Sequence, residues 1–377
     1  MKTLKYLLFS SLIVLFFSTC KKESQLSETS PIIKLAAGSA HTLFLRADNT
    51  LWACGSNNQG QFGNGNIMDQ NIPIKIMENV KDISAGSLTT YVLKTDNSLW
   101  GAGFNGNGEL GDNPDISLSP FVKIMDDVKT MAEGGFGNHF FVIKNDNSLW
   151  AFGYNNVGQI GDGTLTNKLP PVKIMDNVLS VAAGAYHSLI IKSDHSLWAT
   201  GNNDKGQLGT GTGTGTAPYP GEIIPVKIAE NVRSVSVSSH MSLILKDDNT
   251  LWAAGGLNMA GQDTVPSEIN SMVYIMSDVK AIRCGWSHSL ILKNDNSLWG
   301  GGTKFNGELG IGLQIFAWQI PIIKISDNVK LFTAGDGFSI YITFDNSVYA
   351  SGRNYRGELG DGTNDDKYNF VRVLIDN

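Results

Sequence analysis

Asp96-Asn97-Ser98-Leu99-Trp100-Gly101-Ala102-Gly103 is the phrase that decides the fold, because the chain says it again and again. Asp48 to Gly55 reads Asp-Asn-Thr-Leu-Trp-Ala-Cys-Gly, and close copies surround Trp150, Trp198, Trp252 and Trp299. A last copy carries Tyr349 in place of tryptophan. The seven aromatic anchors are spaced 48, 50, 48, 54, 47 and 50 residues apart. A fixed period near 50 residues implies a solenoid, a propeller or an array, and it outranks any single-residue signal.

Working outward from Trp100, one unit resolves into four short strands. Val80 to Gly86 is a strand ending on glycine, here called a. Thr90 to Lys94 is strand b, and Asp96-Asn97 is a tight turn, since both side chains bond nearby backbone and tolerate positive φ. Ser98 to Gly103 is strand c. A glycine-rich loop, Asn105-Gly106-Asn107-Gly108-Glu109-Leu110-Gly111, leads to strand d at Phe121 to Met125. Helical periodicity is absent. Four antiparallel strands per unit, seven times over, predict an all-β, seven-bladed β-propeller. An open solenoid would need shorter rungs and end caps. Instead Ile32 to Gly38 reads as a whole strand a and Phe370 to Asn377 as a whole strand d, so residues 32–377 are expected to close as one domain.

The remaining N-terminal residues read as targeting. Lys2 and Lys5 precede an apolar run from Leu7 to Phe17, of signal-peptide length and short for a membrane span. Phe17-Ser18-Thr19-Cys20, followed by Lys21-Lys22-Glu23, resembles a bacterial lipobox, although Phe17 and Thr19 depart from its commonest residues. The expectation is a lipoprotein signal peptide over residues 1–19, lipidation at Cys20, and a polar tether across residues 20–31. That places the protein in the cell envelope, on the outer membrane or cell surface. Losing residues 1–19 removes two lysines and no acids, which takes the formal net charge from −6 to −8. An acidic body argues against nucleic acid and anionic lipid as partners. Cys54 and Cys284, one each in two separate units, offer no disulfide framework or metal spacing and read as small buried hydrophobes.

The repeat also carries a family resemblance. Val178 to Gly209 and Val128 to Gly163 follow a pattern of Val-x-x-Ile-Ala-Ala-Gly-x-x-His-Ser-Leu, then Leu-Trp-x-x-Gly-x-Asn-x-x-Gly-Gln-Leu-Gly-Asp-Gly. This resembles the regulator of chromosome condensation repeat and extends over residues 32–377. The fifth unit departs most, its loop Gly255 to Asp263 lacking the usual Leu-Gly. The resemblance implies a propeller that binds proteins. Nuclear members of the family exchange guanine nucleotides on a small GTPase, a role at odds with a signal peptide and an acidic body. A secreted bacterial relative with a similar repeat inhibits β-lactamases, which makes an inhibitor of a secreted or periplasmic enzyme the alternative reading.

Periodic residues read as architecture. One aromatic per unit implies packing between blades. His41, His139, His187 and His288 share one repeat position, so each lies on its own blade, too dispersed for zinc, whose ligands stand about 2 Å from one ion. They are expected to bond backbone near a glycine corner. The glycine loops precede strands rather than helices and lack a P-loop lysine, so they read as turns. Asp162-Gly163 and Asp361-Gly362 do not gather the alternating carboxylates of a calcium cage. No catalytic signature stands out, and no cofactor or metal is expected.

Residues that break the period point to function. Alternating strand direction puts a–b and c–d loops at one end of the ring and b–c and d–a turns at the other. The second set repeats Asp and Asn. The first set carries Phe136, Tyr186 and Trp286 in a–b loops, and Phe104, Tyr154, Phe305 and Tyr355 in c–d loops. Large aromatics at variable loop positions on a rigid frame are typical binding anchors. The Thr-Gly run at 210–221 reads as an excursion from the fourth unit. The expected function is non-catalytic: a monomeric binding module for a protein partner, such as an enzyme, with a glycan as the weaker alternative; an enzyme such as a propeller lyase or hydrolase would need gathered carboxylates or a metal.

Overall fold

A computed structural model describes residues 30–111, 120–132, 136–211, 221–256, 269–302, 305–312 and 320–375. The signal segment, Cys20, most of the Thr-Gly run and the centre of the fifth unit's loop lie outside these residues. The rest is all strand. Seven four-stranded antiparallel sheets follow one another, each in the order a-b-c-d, so the chain is a seven-bladed propeller. In the second blade the strands are Val80–Ala85, Thr89–Lys94, Leu99–Gly103 and Val122–Met125, within a residue of the sequence-based expectation. Among the described residues no helix is long and apolar enough to cross a membrane.

The recurring phrase is a hydrogen-bonded clip. Asn97 takes a φ of 65°, the left-handed conformation that turns strand b into strand c. Asp96 Oδ1 accepts from Ser98 N at 2.9 Å and from Ser98 Oγ at 2.6 Å. Trp100 Nε1 then donates to Ser98 Oγ at 2.7 Å, and the Lys94 ammonium stands 4.0 Å from the indole centroid. The same chain of contacts joins Asp146, Ser148, Trp150 and Lys144 in the next blade. The hydrogen bond from Ser98 holds the Asp96 carboxyl below its ordinary range.

Strands a stand innermost. They touch their counterparts in adjacent blades and line a central cavity of about 40 Å³, and Lys34 of the first blade pairs with Asp82 of the second. Each apolar cluster spans two or more blades. Leu243, Leu245 and Leu251 of the fifth blade, for example, pack with Val279, Ile282 and Ile291 of the sixth, and Trp299 covers that seam. Six of the seven anchor aromatics pack on these clusters between blades as expected, but every one is half-buried, while the Leu before it, or Val348 before Tyr349, is fully buried. Strand c explains this: neighbouring residues point to opposite faces of the sheet, and on the aromatic's face a Lys, or Arg46 in the first blade, covers the indole.

The histidines differ from expectation in their partner. Each ring lies against a glycine corner, so close that a Cβ on Gly38 would stand 2.4 Å from His41 Cε1. Its Nε2, however, meets a hydroxyl of the following blade rather than backbone: His139 to Ser188 Oγ at 2.8 Å, His187 to Ser242 Oγ at 2.9 Å, His288 to Ser339 Oγ at 2.9 Å and His41 to Thr90 Oγ1 at 3.1 Å. Complete burial pushes these imidazoles down, to about 3 for His139 and His187 and about 4 for His41 and His288.

Two outcomes follow for stability. Phe141, fully buried, should cost about 3–5 kcal/mol when replaced by Ala, and half-buried Trp150 roughly half of that; melting curves of Phe141→Ala and Trp150→Ala read the order directly. The histidines titrate near 6.5 only once unfolded, so the unfolded chain binds more protons below that pH. Stability therefore falls as pH drops from about 6.5 toward about 4, by about 2 kcal/mol per histidine at pH 5. Glu109, Glu308 and Glu358, whose carboxyls are raised by burial, act in the opposite sense. His187→Thr, the residue type found at this position in the second blade, should flatten the decline in melting temperature between pH 7 and pH 5 relative to the parent.

Candidate binding site

The site is built where strand c ends beside the a–b loop of its own blade. Backbone bonds tie the two together: Tyr154 N to Asn138 O at 2.8 Å, Phe104 N to Leu88 O at 3.0 Å and Asn202 N to Tyr186 O at 2.8 Å. Below them the glycine-rich loops are rigid turns. Asn155 is buried, its Oδ1 accepting from Ile160 N at 2.9 Å and its Nδ2 donating to Thr164 O at 3.0 Å and to Asp162 Oδ1 at 3.1 Å. Ile160 is driven into the apolar cluster shared with the fourth blade. The Asp-Gly pairs are taken up by lysine, with Lys168 Nζ 2.5 Å from Asp162 and Lys367 Nζ 3.3 Å from Asp361. Among the described residues no group of three or more His, Cys, Asp or Glu could hold a metal ion.

On this frame Phe136, Tyr154, Tyr186 and Trp286 meet around one pocket of about 290 Å³, completed by Asn107, Gly137, Asn138 and Ala185. Phe136 and Trp286 come from the third and sixth blades, on opposite sides of the ring. Their rings pack edge to face with centroids 5.5 Å apart, so the two loops lean across the mouth of the channel. Phe136 is consequently buried, at 7% exposure, and not the free loop side chain its position suggests. Tyr186 is the open wall, 36% exposed, its ring 5.7 Å from that of His240. Asn107 gives the rim a polar edge; its backbone N and Nδ2 both donate to Glu109 at 2.8 Å.

The other three candidates lie apart from this pocket. Phe104 is half-buried over Gly106, where a Cβ would fall 2.4 Å from its ring. Phe305 is 59% exposed. Tyr355 is 54% exposed between Arg353 and Arg356, whose guanidinium carbons stand 5.2 and 5.7 Å from its centroid. Sequence reasoning did not find Asn107 and Asn138; their place beside the aromatic positions on the variable loops is the signal that could have marked them.

A closed ring of seven sheets with an aromatic pocket made by its variable loops defines a propeller of the interaction type. The RCC1-like domain model matches residues 17–262 and the regulator of chromosome condensation (RCC1) repeat model matches residues 329–358, and the chain belongs to this family. Among solved structures it is similar to Prp20p from Saccharomyces cerevisiae, at 22% identity over 82% of each chain with a TM-score of 0.71. It is also similar to human WBSCR16, at 19% identity over 81% of this chain and 84% of that one, with a TM-score of 0.70. The CRINKLY WD40 ectodomain of the Arabidopsis thaliana receptor kinase ACR4 follows at 12% identity, 86% and 96% coverage and a TM-score of 0.52. Compared by sequence with curated proteins, the chain matches none significantly.

Because Phe136 is buried against Trp286, Phe136→Ala should destabilise the ring by about 3 kcal/mol or more, whereas exposed Tyr355→Ala should stay within about 0.5 kcal/mol of the parent. Chemical denaturation of the two variants checks the contrast.

Proposed function

We propose that the protein is a non-catalytic binding module, lipid-anchored through Cys20 outside the cytoplasm, which seats a protein partner on the end of the ring that carries the a–b and c–d loops. The observation that carries this reading is the convergence of Phe136, Tyr154, Tyr186 and Trp286 on one half-open pocket. A specific partner needs a surface that does not repeat and a few desolvated anchors, and aromatic rings supply such anchors efficiently. The opposite end offers nearly the same turn from blade to blade, Asp-Asn in six blades and Asp194-His195 in the fourth. The family supports a protein as the partner: the structure of Prp20p is described together with its binding to Gsp1p and histones, and a second structure holds Prp20 bound to Kap60.

The test begins with affinity capture from envelope extracts on the domain spanning residues 24–377. Tyr186→Ala combined with Trp286→Ala should weaken the captured partner's affinity at least about tenfold, which is about 1.4 kcal/mol. Asp96→Lys and Asp176→Lys, on the other end, should leave it almost unchanged. Melting curves of the double variant separate a lost contact from a lost fold. Binding abolished by the reversals and spared by the aromatic pair would move the site to the opposite face.

A further inference from the structure

The point where the ring meets its N-terminal chain fixes which way the pocket looks. Ser30 is held at the turn end of the first blade: its Oγ accepts from Asp48 N at 2.9 Å, and Pro31 O accepts from Ala47 N at 2.9 Å. Asp48 belongs to the turn between strands b and c, so the chain leaves from the end opposite the aromatic pocket. It also leaves from strand a, Ile32–Ala37, which is innermost. Taking the lipid anchor of the proposed function as given, we infer that the tether holds the Asp-Asn face toward the membrane and the aromatic pocket away from it, so that the partner is met on the side of the ring that faces away from the bilayer.

The argument is one of reach. Ten residues separate Cys20 from Ser30. Fully extended they cover at most about 36 Å. To turn the pocket onto the membrane, the chain would have to run from strand a past strand d to the rim. Three strand spacings at about 4.8 Å, with the side-chain layer, make about 19 Å. It would then have to climb the side of a blade, which is at least about 20 Å for the six or so residues of strand c and its flanks at about 3.3 Å each. The total, about 40 Å, matches or exceeds the fully extended length of the tether and leaves it no slack. Inversion would therefore demand a tether drawn out to its full length, whereas the upright arrangement leaves it slack, so the chain's entropy favours the upright one. The membrane-side corners carry matched charges, such as Lys173 with Asp176 at 2.8 Å and Lys324 with Asp327 at 2.7 Å, so the face is not driven off an anionic surface by unopposed carboxylates.

Two exposed residues of the third blade report the orientation: Asn145, at the b–c turn, and Asn156, in the c–d loop. The full lipidated protein carrying Asn145→Cys or Asn156→Cys is labelled with a fluorescent maleimide and bound to vesicles of phosphatidylcholine and phosphatidylglycerol containing an acceptor lipid. Cys54 and Cys284 are buried, and burial pushes both thiols up, so they do not compete for the label. Energy transfer to the membrane should be at least about twofold stronger from Asn145→Cys, given the difference of about 20 Å in height. Equal transfer, or stronger transfer from Asn156→Cys, overturns the orientation while leaving the anchor intact. Failure of the parent to float with vesicles, or undiminished flotation of Cys20→Ala, overturns the anchor and the orientation with it.

Discussion

Each blade is a complete sheet cut from one stretch of chain, and no strand is lent to a neighbour, so the contacts between blades must keep the ring closed. The most specific of these is a relay from imidazole to hydroxyl to carbonyl. His139 Nε2 meets Ser188 Oγ, and Ser188 Oγ donates to Gln159 O at 2.7 Å. A hydroxyl has one proton to give. Since Ser188 gives it to the carbonyl, the histidine must be the donor at Nε2, which fixes a neutral tautomer and agrees with a pKa driven down by burial. His187, Ser242 and Gln207 O repeat the arrangement one blade on.

The exceptions follow the same logic. In the second blade Thr89 stands in the histidine position, and the third blade has Phe140 where a hydroxyl would be; that seam is instead stacked, Tyr91 on Phe140 with centroids 3.6 Å apart. In the fifth blade Met241 replaces histidine and Ser238 replaces the glycine beneath the ring, while Ser289 Oγ across the seam is buried without a hydrogen-bond partner among the described residues. At the closing seam Phe338 lies on Gly335, and Thr42 keeps only the second half of the relay, donating to Glu358 O at 2.8 Å. The last blade holds the first through an apolar cluster of Phe44, Ile340 and Leu359 and an Arg356–Asp69 pair at 3.0 Å. Glu358 is buried there, its carboxyl pushed up to about 7 by desolvation, with Arg353 3.5 Å away. The closing contact thus mixes ordinary packing with a buried acid whose carboxyl is raised by desolvation.

The fold was legible because its signals are local and repeated. Asp-Asn before Leu-Trp specifies a turn and a strand within one blade, and seven copies average out any single misreading. Contacts between blades were less so. Period identifies which residues are equivalent, but it does not say that an indole is capped by a lysine or that an imidazole seeks a hydroxyl some 50 residues away. The pocket was legible only as a face. Seven residues separate Met131 from His139 in the third blade, where five separate its register equivalent Ile83 from Thr89 in the second. That extra length accompanies the reach of Phe136 to Trp286 across the ring. A repeat pattern treats both as members of the same loop class and cannot show that they touch.

The two ends of the ring differ for a physical reason that bears on function. At the turn end nearly every polar group is used within the repeat: Asp binds the hydroxyl, the hydroxyl binds the indole, lysine covers the ring, and Lys81 Nζ donates to Asn97 Oδ1 at 2.6 Å. A substitution there disturbs a clip that holds two strands together. At the loop end the structural work is done below the surface, by the buried asparagines Asn57, Asn105, Asn155, Asn203 and Asn354 of the glycine-rich loops and by the backbone bonds between loop and strand. The side chains above that layer are free to vary without loosening the blade. Binding specificity can therefore accumulate at one end of a periodic scaffold while the other end remains a repeat, and the aromatic pocket lies on the end where variation costs the fold least.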